Sequence, residues 1–236
     1  MKGNDMNFDP PLTFCQEPKP TNIDKLKDHV AWSFHEANND NSKLSQEILD
    51  IDGMSGNRTR HFYNNLCSMP DARYLEIGVW KGSSYISSMY QNEMVCTGMD
   101  NWSEFGGPKE DFLENFNKFK GKNNATFIDS DCWNVDPTKV GPFNLYLYDG
   151  SHEVEDHYKA LNHFLPAMDD EFIFVVDDWG LINYNQGYWG WKVHNGTLRA
   201  IVDNNLTVVS IHEVLNVDCD RDGWWNGIAI FVLRKP

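Results

Sequence analysis

Acidic residues close a series of apolar runs in this chain, and the chemistry of the sequence gathers at those endings. The runs "RYLEIGV", "MVCTGMD", "ATFID", "FNLYLYD" and "EFIFVVDD" carry or lead into Glu76-Ile77-Gly78, Asp100, Asp129 to Asp131, Asp149 and Asp177-Asp178. Carboxylates accept hydrogen bonds from hydroxyl and amino groups and hold cations. In an open α/β sheet the ligand lies outside the carboxyl ends of the strands. If the runs are strands, their acids line one mouth.

The first ending is E-x-G-x-x-x-G, from Glu76 through Gly78 to Gly82, with Ser83 beside it. A dinucleotide fingerprint needs a second glycine so that the backbone can approach a pyrophosphate. Trp80 stands there instead, and no lysine followed by Ser or Thr comes after the last glycine, so a P-loop is absent as well. What remains is a tight glycine turn preceded by an acid, suited to a ligand with an amine or another positive charge. Asp100, at the end of the next run, is placed to accept both hydrogen bonds of a ribose diol. In "IDSDCWN", Asp131 can accept from an exocyclic adenine amine while Cys132 or Trp133 covers the ring, and Asp129 is an alternative to Asp131.

Asp149 and the Asp177-Asp178 pair close the fourth and fifth runs. If those strands are neighbours, their ends lie about 5 Å apart. Carboxylates gathered so closely repel unless a proton or a cation is shared. A hard divalent ion with oxygen ligands, Mg²⁺ most readily, is expected at Asp149, Asp177 and Asp178. A pair of acids ending a buried strand, one bonded to backbone amides, is the bland alternative.

The elements that must position these groups are legible in the hydrophobic pattern. Short buried runs separated by helical segments at about 83–91, 108–119 and 153–168 predict a parallel sheet with helices around it. After the fifth run come a helix at "GTLRAIVDNN" and two runs, "LTVVSIHEVL" and "GIAIFVLRK", with no helix between them, which predict an antiparallel hairpin at the sheet edge. Ahead of the sheet, residues 1–20 are proline-rich and aperiodic. Thr21 is placed to cap a helix reaching about Asn38, Ser42 a second short helix, and a third helix ends before Pro70. The chain therefore divides into an N-terminal arm and helical lid, 1–70, and an α/β domain, 71–236.

Bulk composition narrows the classes. Hydrophobic residues make up 41% and charged residues 23% of 236, ordinary values for a globular protein. A net charge of −15 repels polyanions, so nucleic acid is not expected as a substrate. Five scattered cysteines without a CxxC pair suggest neither a zinc site nor a disulfide framework. No apolar run approaches membrane-spanning length and the N-terminus lacks an apolar leader segment, so a cytoplasmic protein without a membrane partner is expected.

Taken together, Glu76-Ile77-Gly78 with Gly82, then Asp100, Asp131, "YDGSH" and "VVDDW" resemble a class I S-adenosylmethionine-dependent methyltransferase, and more narrowly the macrocin-type sugar O-methyltransferase group. The resemblance covers roughly residues 50 to 236. It implies a seven-stranded sheet of order 3-2-1-4-5-7-6 with strand 7 antiparallel. It also implies that Glu76, Gly78 and Gly82 cradle the amino-acid part of S-adenosylmethionine, Asp100 its ribose and Asp131 its adenine. Asp149, Asp177 and Asp178 fall at the positions where such sugar O-methyltransferases use a metal.

A methyl group on a sulfonium is already activated, so alignment and removal of the acceptor's proton remain. His152 in "DGSHEVEDH" is the expected base, working with Asp149. The alternative is that His152 caps its helix or holds Asp149 in place, while His157 and His163 face solvent or structure. Tyr184, Tyr188, Trp189 and Trp191 are candidates to stack on a sugar or aromatic acceptor, and Ser55 in "GMSGNR" to fold over the methionine end of the donor. The leading expectation is methyl transfer to a hydroxyl of a sugar or glycan, in a chain that can form a homo-oligomer. A phenolic or other small metabolite as acceptor, a nicotinamide-dependent oxidoreductase and a non-catalytic ligand-binding module are the alternatives.

Overall fold

The computed structural model describes residues 23–180, 190–216 and 219–236, so the arm at 1–20 and the expected cap at Thr21 lie outside the described residues. Seven strands form one sheet: β1 (Arg73–Ile77), β2 (Val95–Asp100), β3 (Asn124–Asp129), β4 (Phe143–Tyr148), β5 (Met168–Asp177), β6 (Thr207–Val214) and β7 (Ile228–Arg234). Their order is β3-β2-β1-β4-β5-β7-β6. The first five pair in parallel and β7 lies antiparallel between β5 and β6. This is the expected topology, and it sets the carboxyl ends of β1 to β5 side by side.

Period two decides which side chain meets which helix layer. On one face Ile173 and Val175 of β5 and Ile228, Ile230 and Val232 of β7 share a core with Leu26 and Val30 of α1 (Ile23–Asn38) and Phe62 of α3 (Asn57–Leu66). Tyr85 of α4 (Ser83–Met89) and Phe112 and Phe116 of α5 (Lys109–Phe119) complete that layer. On the other face Phe172, Phe174 and Val176 of β5 and Phe231 of β7 pack against Leu161 and Phe164 of α6 (Val154–Phe164) and Val193 and Ala200 of α7 (Gly190–Asp203).

The front section expected as a lid contributes α1 and α3 to the first core. Its remaining helix, α2 (Gln46–Leu49), is a single turn starting after Ser45, because Ser42 bonds the backbone of Leu44 and His61 instead of capping it. Arg60, 2% exposed, closes the end of α2 by donating to the carbonyls of Ile48, Leu49 and Ile51 and to Ser87 Oγ. The guanidinium supplies donors to carbonyls that a short helix leaves unpaired. It thereby ties the segment leading to Met54 onto α4. Helix α7 begins at Gly190, several residues before the expected "GTLRAIVDNN".

Candidate active site

A cavity of about 460 Å³ opens at the carboxyl ends of β1 to β5, within the usual range for small-ligand sites of about 300–1,000 Å³. Gly78, Asp100, Asp131 and Cys132 line one half, and Asp149, His152, Asp177 and Asp178 the other.

The first half is built by local backbone turns. Asp100 Oδ2 accepts from the Trp80 amide at 2.8 Å and Oδ1 from the Trp102 amide at 2.7 Å. These bonds hold the loop in which Trp80 stands at φ 44°. Each carboxylate oxygen keeps a second lone pair, so a diol can still bond Asp100. Asp131 Oδ1 accepts from the Trp133 amide at 3.0 Å, which turns its carboxylate into the cavity. The alternative acid, Asp129, ion-pairs with Lys109 and does not line the cavity. Burial pushes the Cys132 thiol up to about 12, making it a neutral wall.

Four expected donor contacts are placed elsewhere. Glu76 is completely buried behind the wall, where Tyr74 Oη and Ser84 Oγ donate to its two oxygens. Burial raises its pKa to about 8. The side chain of a strand residue next to one that faces the mouth points into the opposite layer, and Glu76 lies in the layer with α4. Gly82 opens α4 at φ 88°, packed against Ile86 and Phe112. Ser83 is covered by Gly53, where an added Cβ would come within 2.0 Å of Ser83 Oγ. Ser55 Oγ is buried with no hydrogen-bond partner, and its neighbour Met54, rather than Ser55, lines the cavity. Gly78 lines the cavity and is also needed for backbone packing. At φ 90° it lies against β4, and a Cβ there would sit 1.8 Å from the Asp149 carbonyl oxygen.

The second half is built across elements. Asp178, at φ 56° just past β5, ion-pairs with His152 Nε2 on one carboxylate oxygen. Asn226 Nδ2 donates to the other oxygen at 2.7 Å. Burial works to lower the His152 pKa, but Asp178, Asp149 and Glu104 outweigh it and raise the value above the ordinary one. Asp149 is pushed up to about 7 by burial and then by the charge of Asp178. Asp177 is raised well above the usual range by burial and by Asp149. Asp149 and Asp177 are close enough for the charge of one to raise the pKa of the other, the condition under which a proton or cation is shared.

Among the described residues, Asp149, His152 and Asp178 form a group whose ligand atoms all lie within 4.8 Å. Asp177, expected as the third metal ligand, is not in it. Consecutive residues leave a strand on opposite sides, and Asp177 turns inward, where Tyr63 Oη lies 3.5 Å away. His152 takes its place, bringing a nitrogen into the set.

His157 is buried against Tyr148 and His163 bonds the Val135 carbonyl, both as structure. Trp191 sits on α7, 45% exposed and away from the cavity, whereas Tyr184, Tyr188 and Trp189 lie outside the described residues. Sequence reasoning missed Trp225 and Asn226, which line the cavity from the turn before β7. The signal was the Asn-Gly pair in "GWWNG", a turn signature requiring positive φ: Asn226 has φ 55° and Gly227 φ 78°. Among the described residues, no Lys or Arg lines this cavity, and no helix is long and apolar enough to cross a membrane.

Residues 75–179 match the family model of a methyltransferase domain. No curated protein matches the chain significantly. Solved structures of like fold include TrmN from Thermus thermophilus, at 11% identity and TM-score 0.55 over 80% of this chain. This chain spans 52% of the TrmN chain, about half its length. The SAH-bound methyltransferase PaMTH1 of Podospora anserina is similar at 15% identity and TM-score 0.55, over 90% of this chain and 88% of that one. The O-methyltransferase of Bacillus cereus in complex with SAH is similar at 10% identity and TM-score 0.52, over 94% and 95%. At such identities the likeness is one of fold. Residues 75–179 are thus similar in sequence to a methyltransferase domain, and the strand order is that of the Rossmann-like methyltransferase sheet.

Proposed function

We propose that this protein transfers the methyl group of S-adenosylmethionine to a hydroxyl oxygen of a sugar, glycan or other small acceptor. The observation that carries the proposal is the pairing of two unlike half-sites in one cavity, diol-accepting and amine-accepting carboxylates beside a histidine clamped by an aspartate. Asp100 would accept from the donor's ribose and Asp131 from its adenine amine, with Cys132 against the ring. Trp80 lines the cavity at the position where a dinucleotide fingerprint has its second glycine, which disfavours a nicotinamide cofactor. The donor's amino-acid end would meet the Gly78 turn and the Asp149 side of the cavity, since Glu76 is occupied behind it.

His152 would act as the base. Its contact with Asp178 would set the proton on Nε2, so that Nδ1 is the atom that would take the acceptor's proton. Asp178 then stabilises the imidazolium that forms. Asp149 faces the same space, and two carboxylates with one imidazole fit a divalent cation. Mg²⁺, which prefers oxygen, would be held by Asp149 and Asp178. Such an ion, when bound, lowers the pKa of an alcohol. The acids that line the cavity support a neutral or cationic acceptor, and the aromatic Trp225 suits the apolar face of a sugar. A phenolic ring would meet the same wall, so it stands as the second reading.

Titration of the protein with S-adenosylhomocysteine by calorimetry, followed by turnover assays on sugar and phenol panels with and without EDTA, tests the proposal. Micromolar binding, turnover of a hydroxyl acceptor, and EDTA inhibition reversed by Mg²⁺ are expected. Absence of S-adenosylhomocysteine binding would overturn the whole proposal. Full activity in EDTA would remove the cation alone.

A further inference from the structure

We propose that Asn226 is a positioning residue for the base, acting through Asp178 to hold the His152 imidazole in its working orientation. The inference rests on the reading of His152 as base. Asp178 is a non-glycine residue at φ 56°, so its side chain leaves the end of β5 from an uncommon backbone conformation. Nothing in a strand end by itself defines the rotation of that carboxylate. Two side chains do so here: His152 holds one oxygen and the Asn226 amide the other, at 2.7 Å.

The placement of Asn226 is built into the backbone. Its carbonyl accepts from Gly180 N at 2.7 Å, and the Gly227 carbonyl accepts from Trp179 N at 3.3 Å. The residues just after Asp178 therefore run paired with the turn that carries Asn226. Both glycines are required by close backbone neighbours: the Asn226 turn for Gly180 and β6 for Gly227. A Cβ on Gly180 would lie 2.8 Å from the Asn226 carbonyl oxygen, and one on Gly227 would lie 2.0 Å from that of Val214. The turn is also tied from outside, because the Asn57 and Arg58 amides at the start of α3 donate to the carbonyls of Arg221 and Gly223.

The amide itself has one productive orientation. Its nitrogen must face the carboxylate, because an amide oxygen there would meet another acceptor. The Cys219 thiol donates to Asn226 Oδ1 at 3.6 Å and supports the same orientation. Without the amide, the Asp178 carboxylate can rotate, and the oxygen that fixes the His152 proton on Nε2 moves with it. The chain Cys219, Asn226, Asp178, His152 therefore runs from the turn before β7 to the reacting face.

Two substitutions isolate the side chain. Asn226→Gly keeps the left-handed backbone at no steric cost, and Asn226→Asp keeps size and shape while replacing the donor by an acceptor. Donor affinity is read by S-adenosylhomocysteine calorimetry. Turnover is read as its release with methyl glucoside and catechol as probe acceptors. Loss of a hydrogen bond to a charged group predicts a fall in kcat of about 10- to 100-fold in Asn226→Gly. Asn226→Asp should fall at least as far, with acceptor KM and S-adenosylhomocysteine affinity within about threefold of wild type.

The ¹⁵N spectrum of the His152 ring reads the same point without turnover. A dominant Nε2-protonated form in the wild type should become mixed in both variants. A ring spectrum and kcat unchanged in both variants would overturn the proposal. A fall in kcat matched by an equal fall in donor affinity would also overturn it, since that marks a structural defect. If the wild type binds no S-adenosylhomocysteine, the methyl-transfer reading fails, and the ring spectrum alone then decides the role of Asn226.

Discussion

The two halves of the cavity hold their carboxylates in different ways. Around Asp100 and Asp131 each carboxylate is anchored by the amide of a residue two positions on, and by Trp80 for Asp100. Around Asp149 and Asp178 the anchors are distant in sequence: a β4 acid, a β5 acid, a histidine ahead of α6 and an asparagine ahead of β7. The first half is a set of preformed acceptors for a ligand rich in donors. In the second half, desolvated acids crowd together and a proton or cation must be shared, the condition under which proton transfer is tuned. On the proposed reading, binding and chemistry would be divided between neighbouring strand ends of one sheet.

Substitutions that separate the halves test this division. The largest effect is expected from Asp178→Ala, which leaves His152 without its partner. Turnover should fall by about 10²- to 10⁴-fold while calorimetry finds S-adenosylhomocysteine affinity within about threefold. Parallel losses of both would show that the halves are one unit.

Asp100→Ala should do the reverse. Donor affinity is expected to weaken by about 10- to 100-fold, with kcat at saturating donor near that of the wild type. Part of that loss would come from the Trp80 and Trp102 amides, which lose their acceptor along with the ligand.

The smallest effect belongs to the buried acid behind the wall. Glu76 has a folded-state pKa of about 8, above the ordinary 4.5. The native state therefore binds more protons than the unfolded chain between those values, and stability declines as pH rises from about 4.5 to 8. Glu76→Gln removes that decline. Melting temperature should rise by about 5 °C or more at pH 9 and change by less than about 2 °C at pH 4.5. An S-adenosylhomocysteine affinity that stays near wild type would confirm that Glu76 supports the wall from behind. A large loss would return it to the donor half.

The parallel strands, the helices between them and the closing hairpin were legible in the hydrophobic pattern, whereas the strand order came from the family resemblance. Asp100, Asp131 and Asp149 could be picked out because acids that end buried runs must face the mouth of the sheet. Other residues were misjudged where a motif position carried two meanings. Gly82 read as space for a ligand but opens α4 away from the cavity, while Gly78 lines the cavity and also makes room for the Asp149 carbonyl. Glu76 read as a ligand acid, though alternation along β1 sends it into the layer beneath. Asp177 and Asp178 read as equivalent, but Asp177 is the last residue of β5 while Asp178 stands past it at φ 56°, a backbone turn that sequence spacing does not reveal.

By itself the sequence determined the elements and the ends at which acids cluster, because hydrophobic periodicity and strand-end position are local properties. Only the tertiary structure decided which acids meet a partner. His152 joins Asp178 rather than Asp149 alone, Asp177 withdraws toward Tyr63, and Asn226 reaches Asp178 from the turn before β7. Each of these contacts joins segments brought together by sheet order and backbone pairing. No spacing along the chain encodes a hydrogen bond between side chains that become neighbours only when β7 enters between β5 and β6.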